Sequence, residues 1–195
     1  MRIFLLARHG ESLLNVASVV NADPARDPGL SARGEEEARE LGRQIAALEI
    51  ELVVTSRFPR VQQTAAIAIG ARSVPHIALQ DLDDVRVGEL EGRTIAEYRV
   101  WKHEHTRSEA FPGGESLDAA AARYADAYRS LLDRPERAVL VVCHEIPVRY
   151  AINAAAGSEQ LDAPVHDVQN AVPYLFGESG LAAAAARIAR LATAG

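Results

Sequence analysis

Two rhythms of apolar residues alternate along this 195-residue chain. The first is a short unbroken apolar run, which marks a strand buried on both faces of a parallel sheet. Ile3 to Ala7 is such a run, and it stops abruptly at Arg8-His9-Gly10-Glu11. Leu52 to Thr55 is a second, ending at Ser56 and Arg57, and His76 to Leu79 predicts a weaker third. Ala138 to Val142 is the strongest, delivering Cys143 and His144 at its end. The other rhythm is helical. After a turn-rich segment from Asn21 to Gly29, Ser31 opens a helix with Ala38, Leu41, Ile45 and Leu48 on one face. Glu35, Glu36 and Glu37 crowd its first turns, where carboxylates suit the helix dipole. A second helix is predicted from Val61 to Ile69, stopping at Gly70. Ser116 caps the clearest helix, in which Leu117, Ala120, Tyr124, Ala127 and Leu131 recur at three- and four-residue steps. Residues 146 to 156 also read as helix, because Pro147 is tolerated in a first turn.

Strands alternating with helices predict an α/β three-layer sandwich, with a largely parallel central sheet and helices on both faces. The tail supports two readings. Leu181 to Leu191 is alanine-rich and by propensity is helix. Val172 to Phe176 followed by Gly177-Glu-Ser-Gly180 suits a hairpin returning along an antiparallel sheet edge. No repeat or linker interrupts the chain, so residues 1–195 are expected to form one domain.

Composition narrows the function classes. Hydrophobic residues make up 48% and charged residues 25%, which excludes a disordered or fibrous protein. No apolar stretch approaches the roughly 20 residues needed to cross a bilayer. The first residues also lack a secretory signal pattern, so a cytoplasmic location without a membrane partner is expected. The net charge is -6, from 21 basic and 27 acidic residues, and disfavours a nucleic-acid partner. Cys143 is the only cysteine, which rules out an intramolecular disulfide and a cysteine-built zinc site. Lys102 is the only lysine. The remaining cations are arginines, whose forks bind phosphate or carboxylate bidentately.

Polar residues that are poor choices for packing stand at three strand ends: Arg8 and His9, then Ser56 with Arg60, then His144. Ligands of open α/β sheets bind at the carboxyl ends of strands. Two histidines and two arginines converging there predict a positively charged pocket in an acidic protein, suited to phosphate. No Walker or dinucleotide glycine sequence competes for that role.

In this arrangement the chain resembles the histidine phosphatase superfamily, with its phosphoglycerate-mutase-like fold. Arg8-His9-Gly10-Glu11 with Ser12 and Asn15 looks like its signature, and Leu30 to Gly34 resembles its second segment. Thr55 to Ala65 places Arg60 on the pocket arginine, and Leu82-Asp83-Asp84 through Gly92 looks like the acid-bearing loop. Gly114-Glu115-Ser116 with Arg123 and Val142-Cys143-His144 complete the series, in order from Arg8 to Asn170. The resemblance implies a histidine acid phosphatase-type phosphomonoesterase that needs neither metal nor cofactor. His9 is then the nucleophile, Arg8, Asn15, Arg60 and His144 hold the phosphate, and an acid protonates the leaving oxygen. By position that acid is Asp84, with Glu89 and Glu91 as nearby alternatives and Glu91 assigned to a structural turn. A cofactor-dependent phosphoglycerate mutase and a non-catalytic phosphate-binding regulator are the alternatives. The span between the acid loop and the helix after Ser116 is short for a mutase, which favours hydrolysis.

Two departures from the family pattern matter. Asp84 stands where glutamate is usual, so its carboxyl group falls short unless the backbone moves inward. Glu145 stands where glycine usually follows the second histidine. Its side chain either pairs with an arginine such as Arg149 or restricts the substrate by its charge. Residues 93–113 are expected to form a lid, with Arg99, Lys102, His103, His105 and Arg107 as its cations. Arg123 and Arg149 read as structural ion-pair partners, Glu11 as a residue that orients its loop, and His76 and His166 as surface residues. The expected partner is a small phosphorylated substrate, on a monomer or a homodimer.

Overall fold

The apolar runs become the strands of one sheet. The protein is described here by a computed structural model over residues 2–193. β1 (Ile3–Arg8), β2 (Leu52–Thr55), β3 (His76–Ala78), β4 (Ala138–Cys143) and β5 (Tyr174–Gly177) lie in the order β3-β2-β4-β1-β5. The first four run parallel, and β5 pairs antiparallel with β1, Ile3 opposite Gly177 and Phe4 opposite Phe176. Every residue of β2 and β4 is buried, as their unbroken apolar character requires.

Alternation within each strand divides the core in two. Leu5, Ala7, Val53 and Leu140 pack beneath α2 (Ala32–Gln44) and α3 (Pro59–Ile69). Phe4, Leu6, Val54 and Val141 pack beneath α5 (Leu117–Leu132), α6 (Glu145–Ala155) and α7 (Glu178–Ala192). The α/β sandwich with helices on both faces is therefore as the patterning predicts. Ser31 and Ser116 cap α2 and α5, each hydroxyl accepting a backbone N–H at 3.0 Å. α3 starts two residues earlier than its apolar pattern, since Pro59 fits a first turn.

Both halves of the ambiguous tail have a place. The antiparallel edge exists as β5, but Gly177 then opens α7 instead of turning a hairpin. Leu181, Ala184, Ala185 and Ile188 fall on one face of α7 and are buried. Small alanines let that face close over α5, so packing and propensity agree. Two shorter elements flank the carboxyl ends of the strands, α1 (Leu13–Val16) and α4 (Ile95–Glu104). α4 lies inside residues 93–113 and begins with a capping box between Thr94 and Glu97.

Candidate active site

Each strand end is pinned before it contributes a side chain. The His9 backbone N–H donates to the Cys143 carbonyl at 3.0 Å, and the His9 carbonyl accepts from Asn170 Nδ2 at 2.7 Å. The Gly10 N–H donates to Thr64 Oγ1 of α3 at 3.0 Å. A Cβ on Gly10 would overlap the Gly34 carbonyl, and one on Gly34 would overlap Glu11, so the loop after β1 lies directly on α2. Glu11 orients that loop, as expected: its carboxylate accepts from Ser31 Oγ at 2.7 Å.

His9 and His144 then meet edge to face across the cleft, with ring centroids 5.5 Å apart. His9 Nδ1 lies 2.7 Å from the Gly10 carbonyl, which assigns the proton to Nδ1 and leaves Nε2 as an acceptor. Arg60 links both rings. Its Nε donates to His9 Nε2 at 3.1 Å, and its Nη2 lies 3.3 Å from His144 Nδ1. His144 Nε2 is satisfied by Ser56 Oγ at 2.9 Å, and the Phe58 ring packs edge-on against the imidazole at 4.7 Å. Burial, reinforced by Arg60, holds both histidines well below their ordinary pKa, so both rings are neutral at physiological pH.

Arg60 is almost entirely enclosed, with a side chain 4% exposed. Asp27 and Asn21 make that burial tolerable. Asp27 Oδ2 accepts the Arg60 backbone N–H at 2.9 Å and faces its guanidinium at 3.4 Å, while the Asn21 carbonyl accepts from Nη2 at 3.2 Å. Sequence reading missed both residues. The only available signal was the Asn- and Asp-rich turn from Asn21 to Gly29, whose side chains bond backbone groups in turns. Arg8 points its Nη1 at the Val168 carbonyl at 2.9 Å and at Glu145, and its buried Nε has no partner. Asn15 Oδ1 caps the Ser12 N–H at 3.0 Å, and the residue lines the cavity.

Asp84 reaches the cleft despite its shorter side chain. Its Oδ2 lies 3.5 Å from His144 Nδ1 and 3.7 Å from Arg60 Nη2. The backbone that carries Asp84 is held by α5. Arg123 donates to the Asp83 carbonyl at 2.9 Å and the Asp84 carbonyl at 3.3 Å, and Tyr124 donates to the Asp83 carbonyl at 3.1 Å. Burial pushes the Asp84 carboxyl above its ordinary pKa, against the pull of Arg60. Its neighbour Asp83 is fully occupied by Arg57, at 2.6 and 2.8 Å. Glu89 is exposed on a separate shallow surface, and Glu91 holds the Ala22 N–H at 2.6 Å in the turn assigned to it. Burial, with a smaller push from Asp84, raises the Cys143 thiol to about 12, so it packs as a small apolar residue.

A cavity of about 500 Å³ extends outward from these groups. Leu14, Val19, Ile95 and Tyr98 give it an apolar wall, and Arg99, Lys102, His103 and Arg149 give it a cationic rim. His166 also lines it. His105 instead stacks on Trp101 at 4.2 Å, and Arg107 turns away to Asp118 at 3.0 Å and to Asp162. Arg123 and Arg149 are ion-paired, to Glu115 and to Glu145 with Asp162. His76 is exposed and bonds Thr55 Oγ1 at 2.8 Å. Among the described residues, no group of three or more His, Cys, Asp or Glu side chains is arranged to hold a metal ion.

Residues 4–176 match the histidine phosphatase superfamily (branch 1). The chain is 30% identical over 192 residues to a 2,3-bisphosphoglycerate-dependent phosphoglycerate mutase of Methylobacterium sp., with 90% of each covered. Among solved structures it resembles YhfR of Bacillus stearothermophilus, at a TM-score of 0.79, 25% identity and 90% coverage of each chain. It also shares the fold of the alpha-ribazole phosphatase of Shigella flexneri, at a TM-score of 0.77, 24% identity and 89% coverage of each. Relatives and structural neighbours thus include both phosphatases and mutases.

Proposed function

Because the chain belongs to the histidine phosphatase superfamily (branch 1), we propose that it hydrolyses small phosphomonoesters without a metal ion, through a phosphohistidine on His9. The observation that carries this reading is the Arg60 guanidinium lying within 3.3 Å of two neutral imidazoles, beside a carboxyl group of raised pKa. A neutral His9 keeps a lone pair on Nε2, where Arg60 Nε donates to it at 3.1 Å, and a phosphoryl group that takes the Arg60 fork onto its oxygens frees that pair to attack phosphorus. Arg60 and Arg8 line the cavity and provide donors for the non-bridging oxygens, with Asn15 Nδ2 and, in this reading, His144 Nδ1 as further donors.

In the first step the His9 Nε2 lone pair forms the N–P bond as the P–O bond to the alcohol breaks. Asp84 gives its proton to the departing oxygen. In the second step water attacks phosphorus, Asp84 takes back a proton, and the N–P bond breaks to release inorganic phosphate and neutral His9. A carboxyl group whose pKa is raised by burial keeps its proton to higher pH than an exposed aspartate, as this task requires. Residues 93–113, with α4, cover the leaving-group side of the cavity as a lid.

The mutase relative keeps a second reading in view, in which the phosphoryl group returns to the product instead of passing to water. One experiment separates the readings. Phosphate release from p-nitrophenyl phosphate is measured in EDTA for the intact protein and for His9→Ala. Activity that survives EDTA and disappears in the variant is expected. Loss of activity in EDTA would replace the phosphohistidine with a metal site. Turnover of 3-phosphoglycerate only with added 2,3-bisphosphoglycerate, and no phosphate release, would establish a mutase.

A further inference from the structure

Glu145 opens α6 directly after His144, and its two carboxylate oxygens are divided between two arginines. Oε1 accepts from Arg149 Nη1 at 2.7 Å, and Oε2 lies 3.1 Å from Arg8 Nη1. Arg149 is braced from behind by Asp162 Oδ1 at 2.9 Å and by the His166 carbonyl at 2.8 Å. Its side chain is only 9% exposed, whereas Glu145 keeps 27% of its own open to the cavity. The carboxylate is thus a fixed anion at the mouth of the cleft. It also holds one edge of the Arg8 fork.

With Asp84 protonated as the acid, Arg8, Arg60 and Arg149 face the carboxylates of Asp27 and Glu145, a net of one positive charge around the cleft. A phosphoryl group is accepted, because Arg60 and Arg8 donate to it directly. A second anion one carbon from the ester meets no free cation. Arg149 is engaged by Glu145 and Asp162, and Lys102 lies 4.0 Å from the same Asp162. Arg99 and His103 are exposed on the outer rim and serve only groups farther from phosphorus.

We propose that Glu145 is a specificity-determining residue that selects phosphomonoesters of alcohols with no second negative charge next to the ester, and rejects those with a neighbouring carboxylate or phosphate. The proposal rests on the phosphate cleft described above and deepens that reading. A unit charge some 6 Å from another, in partly solvated protein, changes affinity by about tenfold.

The test uses two esters that differ only in this respect. Glycerol 2-phosphate carries CH2OH where 2-phosphoglycerate carries a carboxylate. Binding of both is measured by titration calorimetry in a His9→Ala background, which stops turnover. Glycerol 2-phosphate is expected to bind at least about tenfold more tightly. Adding Glu145→Gln or Glu145→Gly brings the two within about threefold, by tightening 2-phosphoglycerate, while Glu145→Asp keeps the discrimination. Equal binding with Glu145 present, a preference for 2-phosphoglycerate, or discrimination that survives both neutral variants would overturn the proposal. So would equal weakening of both esters, the mark of a merely structural role. Binding without turnover in the intact protein would sink only the hydrolase reading. Absence of binding in every variant would sink the phosphate cleft and the proposal with it.

Discussion

The strand-end cleft and the α4 wall face each other across one cavity but are built on opposite terms. His9, Arg60 and His144 are 3%, 3% and 0% exposed, and each is tied to a different strand or its following helix. Arg99 and His103 are exposed, and α4 is held by a thin aromatic packing of Trp101 between His105 at 4.2 Å and Phe111 at 4.0 Å. In the cleft His9, Arg60 and His144 are each positioned by several partners, so a change to one propagates. On the wall most side chains touch solvent, and changes are absorbed. The first arrangement suits chemistry on a shared phosphate group, and the second suits variation in what is attached to it.

The hardest test of this contrast is Asp84→Asn. It is expected to lower kcat by about 10³-fold on alkyl phosphates, whose alkoxide needs a proton, and by less than about tenfold on p-nitrophenyl phosphate. The sign of the pH dependence follows from the two shifts. His9 must be neutral, and activity falls as pH drops through a pKa held well below 6.5. Asp84 must be protonated, and activity falls as pH rises through a pKa held above 3.8. The alkaline limb belongs to Asp84 and should vanish in the Asn variant. Because burial disfavours the ionised carboxylate in the folded state, the same substitution should raise the melting temperature at pH 7. A lowered melting temperature would show that the Arg60 pairing outweighs burial.

Arg60→Lys ranks next. A lysine keeps a charge against Asp27 but loses the fork that reaches both histidines, and kcat should fall by about 10²-fold. A loss below about threefold would mean that Arg60 is a structural residue. The smallest effect is expected on the wall. Lys102→Ala, in a residue whose own pKa is lowered mainly by burial, should change KM by less than about fivefold and leave kcat on p-nitrophenyl phosphate intact. A large fall in kcat would erase the distinction between cleft and wall.

How far sequence reading reaches can be judged from particular residues. Arg8, His9 and His144 were legible because each stands where an apolar run ends, Arg60 because it follows the second run in the first turn of α3, and the carboxyl ends of parallel strands share one edge. Asp84 was legible by position, but its reach was not, since it depends on Arg123 and Tyr124 of a helix some 40 residues later. Asn21 and Asp27 were invisible as parts of the site. Nothing local distinguishes an aspartate that neutralises a buried arginine from one that merely turns the chain.

What the sequence determined alone is therefore whatever local periodicity encodes: the two-sided strands, the capped helices, and the polar groups placed at strand ends. Tertiary structure decided everything that depends on burial and on partners distant in sequence. It set the neutral state of His9 and His144, the tolerance of a buried Arg60, and the division of Glu145 between Arg8 and Arg149. The reason is physical. A side chain's rotamer preference belongs to the residue, but its charge state and free valences depend on the atoms folded around it.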